Sequence, residues 1–244
     1  MIKEIIKEVE ISGEFSPLMP RIFSAFKYKT GSDNAWCQVN DNGDVTALLS
    51  SVDGNFTYVL KEQSDFNEIK EFLKFFGCSS LVSNVALNKN AKNYPLFKYC
   101  GNEGAKSNKE FISLNKASAM SDYKKIFDVL FLDDKINFDN WYCDFSKKIV
   151  NGNAKAVALT EGEKFLSVAV APMIFENTAI ISGVYTLKGF RNRGYSKVTI
   201  YKLIEELKKD NVTEIYLWCE KELEEFYKKL GFEKTGYIYS ETEL

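Results

Sequence analysis

The order of segments between residues 155 and 240 most constrains what this chain can fold into. AKAVALT, FLSVAVAP and TAIISGVYTL are apolar and rich in β-branched residues, with only EGEK and MIFEN between them. Breaks this short read as hairpins, so the three segments form an antiparallel meander. The loop KGFRNRG follows, then a helical pattern from about 194 to 209. Its Ile200, Leu203, Ile204 and Leu207 keep the i, i+3, i+4, i+7 spacing of a core-facing stripe. TEIYLWC alternates as a strand. ELEEFYKKL sets Leu223, Phe226, Tyr227 and Leu230 on one helical face and stops at Gly231, before a last strand FEKTGYIYS. Two helices precede the meander. One is capped by Ser121 and carries Tyr123, Ile126, Phe127 and Leu130; the other carries Phe138, Trp141, Tyr142, Phe145 and Ile149 and ends at Gly152. The C-terminal half therefore reads α-α-β-β-β-loop-α-β-α-β. Hairpins leading into a β-loop-α-β crossover predict a mixed sheet with helices on both sides, an α/β (α+β) class.

Upstream, residues 1 to about 30 carry a helical pattern, with Ile2, Ile5, Ile6 and Val9 first and a Pro-containing run capped by Ser16. AWCQVN, DVTALLSS and NFTYVL, separated by DNGD and VDGN, read as a second small meander. Asp65 opens a helix with Phe66, Ile69, Phe72, Leu73 and Phe76 on one face and Gly77 after its end, and the strand SSLVSNV follows. From about 86 to 119 the chain turns polar and irregular, which places a boundary near 105 to 119. A length of 244 residues allows one large domain or two of about 120. The division expected is an accessory α+β domain over 1–118 and a second domain over 119–244.

Composition excludes several classes of function. With 45% hydrophobic residues the chain buries a sizeable core, and a formal charge of -2 gives no basic face for nucleic acid. Histidine is absent, which removes Ser-His-Asp and Cys-His catalysis and every zinc site built on imidazole; no metal is expected. Cys37, Cys78, Cys100, Cys143 and Cys219 are scattered with no C-x-x-C pair, as reduced thiols of a cytoplasmic protein are. No window approaches the apolar length of a membrane span.

Only Arg21, Arg191 and Arg193 are arginine, and two of the three fall in RNRGYS. There, between a strand and a helix, Gly194 lets the main chain turn so that successive N–H groups point into the loop. The helix start adds its unpaired donors and the positive end of its dipole. With Arg191, Arg193 and Lys197 this makes a receptor for a phosphate or pyrophosphate; a solvated basic turn at a helix start is the alternative. Neither G-x-x-x-x-G-K-[ST] nor G-x-G-x-x-G is present.

R-N-R-G-Y-S, after a strand ending YTL and before an amphipathic helix, resembles the acetyl-CoA loop [QR]-x-x-G-x-[GA] of the GNAT N-acetyltransferases. Arg191 and Gly194 match, and Ser196 replaces the final small residue. EFYKKLGFE resembles that family's F-Y-x-K-x-G-F signature, with Tyr227, Leu230, Gly231 and Phe232 in register. The resemblance covers about residues 120 to 240. It implies a mostly antiparallel GNAT-like sheet flanked by helices. It also implies direct transfer of an acetyl group from acetyl-CoA to the primary amine of a small molecule or peptide, by a monomer or homodimer. The pantetheine arm would lie along Tyr185, Thr186 and Leu187, where a main-chain N–H holds the oxyanion. The pyrophosphate would rest on the loop Arg191, Asn192, Arg193, Gly194, Tyr195, Ser196, Lys197. Tyr227 matches the tyrosine that protonates the leaving thiolate; a place in the helix's buried stripe is its other reading. Seven residues earlier the family often has Asn, and here stands Glu220, read either as a general base or as a cap of the following helix. Glu176 and Tyr185 are further candidate bases. A non-catalytic acyl-CoA-binding regulatory module is the alternative function.

The first half has no such loop. EFLKFFGC (71–78) nevertheless lines up with EFYKKLGF (225–232), which suggests either a degenerate copy of the same fold or an unrelated α+β extension.

Overall fold

In a computed structural model the described residues are 1–5, 17–27, 33–52, 54–61, 63–101, 108–132 and 136–242. They form two compact units. The first comprises Met1–Phe97, Trp218–Glu225 and Lys234–Leu244; the second comprises Lys98–Leu217 and Phe226–Glu233.

The first unit holds β1 (Ile2–Glu4), α1 (Met19–Lys27), β2 (Asn34–Val39), β3 (Val45–Val52), β4 (Asn55–Leu60), α2 (Phe66–Phe75), β5 (Ser80–Ser83) and β6 (Lys92–Tyr99). Most of the last strand of the chain, which spans Phe232–Glu241, belongs to it too. The β2-β3-β4 meander is antiparallel, with Leu48 opposite both Cys37 and Val59, and β4 then pairs in parallel with β5 across α2. Helix α2 starts where expected. The Asp65 carboxylate accepts from Asn67 N and Glu68 N, satisfying two of the donors a helix start leaves unpaired. Ile69 and Leu73 bury fully against Trp36, Leu49, Tyr58 and Leu81. Phe66 and Phe76, expected on the same face, stay largely exposed at the ends of the helix, and Phe72 packs edge-on to Trp36 at 5.1 Å.

Two expectations for this unit do not hold. Ile2 is in a strand, not a helix: β1 pairs antiparallel with β2, Ile2 opposite Gln38, and the strand's hydrogen bonds override a local helical periodicity. Ile6, Val9 and Ser16 lie outside the described residues. The stretch read as irregular holds β6 (KNYPLFKY) and, in the second unit, β7 (Glu110–Ser113). Lysine, asparagine and proline are poor strand formers, and burial of Leu96 and Phe97 outweighs them.

The second unit continues with α3 (Met120–Leu130), α4 (Phe138–Val150), β8 (Lys155–Glu161), β9 (Lys164–Phe175), β10 (Thr178–Thr186), α5 (Tyr195–Lys209) and β11 (Glu214–Trp218); α6 (Glu224–Lys228) and β12 (Phe232–Glu241) are each divided between the two units, β12 lying mostly in the first. Within this unit the strands run β11-β10-β9-β8-β7; in the first they run β1-β2-β3-β4-β5-β12-β6. Both are mixed and mostly antiparallel, flanked by helices. Ala156, Ala158, Val168 and Val170 bury against Tyr123, Ile126, Phe145 and Ile149 of α3 and α4. The alternate residues Val157, Leu159 and Ala169 are equally buried, and α5 packs on β8, β9 and β10. Burial on both faces explains why these strands are apolar at nearly every position. The stripe Ile200, Leu203, Ile204 and Leu207 is buried as expected. Helix α3 starts at Ala119 with no side-chain cap, so Ser121 lies inside the helix and does not cap it. Leu223, expected in the core, is exposed because Lys221–Leu223 forms a 3-10 turn ahead of α6 and shifts it off the buried face.

One order recurs: a three-stranded antiparallel meander, a helix, then a strand parallel to the meander's last. It appears as β2-β3-β4-α2-β5 and again as β8-β9-β10-α5-β11. In this correspondence α2 matches α5, not α6, so the eight-residue likeness of 71–78 to 225–232 pairs helices of different place.

Gly231 has φ +86°, its carbonyl accepts from Cys100 N at 2.9 Å, and a Cβ there would lie 3.1 Å from Gly101 Cα. Gly231→Ala is expected to lower stability by more than about 1 kcal/mol in denaturant unfolding. Gly236→Ala, where a Cβ meets nothing within 4 Å, is expected to change it by less than about 0.5 kcal/mol.

Candidate active site

Strand β10 follows β9 in antiparallel register, but the register slips on both sides of Ser182. Gly183, at φ +71°, takes the bulged conformation, and Ser182 and Gly183 are exposed in a strand whose preceding residues are buried. Parallel pairing with β11 runs only from Thr178–Glu214 to Ile180–Tyr216, although β10 continues to Thr186. The two strands thus part after Ile180. The end of β10 is fixed from the other side: Ser167 Oγ donates to Tyr185 O at 3.2 Å and lies 2.8 Å from Thr186 Oγ1, and Leu187 N donates to Leu166 O.

After a 3-10 turn at Lys188–Phe190 the chain passes through two left-handed residues, Asn192 (φ +61°) and Gly194 (φ +74°), into α5. Gly194 is the N-cap, and no side chain caps the helix. Val198 N is the first amide of the helix to find an acceptor, Gly194 O at 3.2 Å; those of Arg193 to Lys197 donate to none among the described residues. No acidic residue stands in the first turn. A run of such N–H groups at the positive end of a 15-residue helix has the donors and the field that suit an anion.

The cations take different parts. Arg191 Nε donates to Thr186 O at 3.0 Å and its guanidinium lies 5.0 Å from the Tyr185 ring centre, so this side chain braces the loop against β10. Arg193 stacks toward Phe190 at 5.4 Å. Lys197, exposed in the first turn of α5, faces Tyr201 at 5.9 Å.

The other sequence-predicted residues have separate surroundings. Tyr227 is only 8% exposed, with ring contacts to Phe226 at 5.1 Å and Phe232 at 5.7 Å. Glu220 belongs to the first unit. Its main chain occupies the N-cap position of the 3-10 turn, but its side chain does not cap. The carboxylate instead pairs with Lys92 Nζ at 2.9 Å. The Tyr94 hydroxyl and Glu220 hold the Lys92 ammonium above the usual lysine range. Glu220 opens, with Cys219, onto a cavity walled by Val82, Tyr94, Trp218, Ile238 and Ser240. Tyr94 and Lys92 were missed by sequence reasoning because they lie on β6, the strand read as irregular. Glu176 sits in the β9–β10 turn, seven residues before Gly183 and so about 20 Å away along the strand.

A mixed sheet thus parts beside an uncapped glycine turn and a helix start. Residues 118–232 match the model of the acetyltransferase (GNAT) family, and this segment is an acetyltransferase domain of that family. Among curated proteins no sequence matches significantly. The fold is shared with a GCN5-related N-acetyltransferase from Kribbella flavida, at 12% identity over 80% of this chain and 85% of that one, TM-score 0.60. A GCN5-related N-acetyltransferase from Sphaerobacter thermophilus is similar at 10% identity over 92% and 90%, TM-score 0.59. So is a tandem GNAT protein from the clavulanic acid biosynthesis pathway, at 9% over 86% and 82%, TM-score 0.58.

Burial first, then the Glu224 and Glu220 carboxylates, push the Cys219 thiol up to about 11. Iodoacetamide at about pH 8 is expected to alkylate exposed Cys143 well before Cys219, read by peptide mass spectrometry. Equal rates at the two thiols would contradict this environment.

Proposed function

We propose that the protein transfers an acetyl group from acetyl-CoA to a primary amine of a small molecule or peptide, by direct attack and without a covalent enzyme intermediate. The observation that carries this reading is the set of N–H groups from Arg193 to Lys197, unpaired among the described residues, in the loop and helix start that follow the strand β10, which parts from β11 after Ile180. The pyrophosphate of CoA rests on those groups, with Lys197 and Arg193 adding positive charge, and the pantetheine arm follows Tyr185, Thr186 and Leu187. A main-chain N–H near the β10 bulge donates to the thioester oxygen as it becomes an oxyanion. The amine, once it has lost a proton, bonds to the carbonyl carbon. The C–S bond breaks, the thiolate takes a proton, and amide and CoA leave.

Tyr227 is our candidate for the acid that supplies the thiolate proton, on the strength of its register in the family signature. Glu220 is our candidate base. In its support, the side chain is not used as a cap and opens onto a cavity with two aromatic walls. An arriving ammonium would take the place of Lys92 beside the carboxylate.

The first half is, on this reading, a degenerate copy that no longer binds the cofactor. The recurring meander-helix-strand order supports it, and so does the contrast between the two helix starts. Asp65 plugs the N-terminus of α2 with a carboxylate and Glu68 adds a second in the first turn, whereas the start of α5 has neither. A second reading, a non-catalytic acyl-CoA-binding regulatory module, is favoured by the burial of Tyr227 among aromatic rings.

Calorimetric titration is expected to give micromolar binding of acetyl-CoA. Gly194→Asp, which sets a carboxylate where the pyrophosphate belongs, should abolish it; because the left-handed φ of +74° strains any side chain there, the melting temperature is expected to fall by a few degrees while the protein stays folded. Arg191→Ala should weaken it about tenfold, through loss of the brace on Thr186 O. No binding by the wild type would overturn the reading.

Tyr227→Phe separates the two functions. A fall in turnover of about a hundredfold at unchanged stability marks the acid. Unchanged turnover removes Tyr227 from the chemistry, and binding without turnover on any of a panel of amines identifies the regulatory module.

A further inference from the structure

Where β10 bulges, the exposed main chain of Ser182 and Gly183 has a wall on one side. A Cβ built on Gly183 would meet Leu130 Cδ2 at 3.1 Å and Leu130 Cδ1 at 4.0 Å, with Val170 Cβ at 3.9 Å. Carbon atoms pack at about 3.5 to 4.0 Å, so the room between this glycine and Leu130 falls short of one whole methyl group. Leu130 is seated on a packed helix end. It is the last residue of α3, where Phe131 N closes the helix on Phe127 O at 2.9 Å. The Phe127 and Phe131 rings both pack on Trp141, at 5.3 and 6.0 Å, and Leu130 itself rests against the buried cluster that includes Ile126, Val168 and Val170.

We propose that Leu130 sets the length of the acyl group this protein accepts, closing the space over Gly183 so that an acetyl thioester fits and longer ones do not. The proposal rests on the reading of β10 as the strand that holds the thioester. An acetyl group ends one carbon beyond its carbonyl. A butyryl group carries two more, which must displace Leu130 from its packed position. Overfilling a packed site of this kind weakens binding about tenfold or more.

The test is calorimetric titration of free CoA, acetyl-CoA and butyryl-CoA into the wild type, Leu130→Ala and Leu130→Val. The wild type is expected to bind butyryl-CoA about tenfold or more weakly than acetyl-CoA. In Leu130→Ala the two should come within about threefold, with affinity for free CoA unchanged, and Leu130→Val should fall between. If Leu130→Ala does not fold, Leu130→Val decides alone, since it removes a single carbon. Equal binding of the two thioesters by the wild type, or an undiminished preference in a folded variant that still binds free CoA, overturns the proposal and leaves the function standing. Failure of the wild type to bind free CoA overturns the functional reading instead.

Discussion

Strands β8 and β9 are buried on both faces, and the rest of the second unit follows from that. Leu159, Val168 and Ala169 have no exposure at all, which requires α3 and α4 on one side and α5 on the other. Fully burying one such side chain contributes about 1.5 to 3 kcal/mol, so the stripe of α5 is held to the sheet along its length. Once the helix is docked, its start has one possible place, after the end of β10. The unpaired N–H groups there are a consequence of helix geometry, and their aim is a consequence of core packing.

Why the start of α5 stays unpaired is a matter of single residues. Gly194 brings no side chain, and its positive φ turns the main chain without one. The helix in the corresponding place of the first unit begins at Asp65, whose carboxylate takes two of the donors. The two helix starts therefore present opposite electrostatic faces to an anion, although a meander leads into each. Strand β10 makes the second requirement local as well. The register slips at Ser182, Gly183 takes φ +71°, and pairing with β11 is over by Ile180.

Much of this was legible in the chain. Both meanders, the stripe of α5, the Asp65 cap and the glycine loop all depend on residues within a few positions of one another, and local periodicity reports them well. Strand β6 was illegible because Lys92, Asn93 and Pro95 resist strand formation, and its burial is confined to its second half, at Pro95, Leu96, Phe97 and Tyr99. Strand β1 was misread because three residues of edge pairing leave no pattern of their own. Arg191 was legible as part of the loop, but its role as a brace on Thr186 O was not.

The sequence by itself determined the order of elements in the second half, the uncapped helix start at Gly194, and the family to which residues 118–232 belong. Those properties are written in short-range spacing. The tertiary structure alone decided that Glu220 answers to Lys92, 128 positions away. It alone brought Leu130 of α3 over Gly183 of β10. The Lys92–Glu220 and Leu130–Gly183 pairs join elements far apart in the chain. Their contact is set by how helices seat on a sheet, which no local pattern of residues encodes.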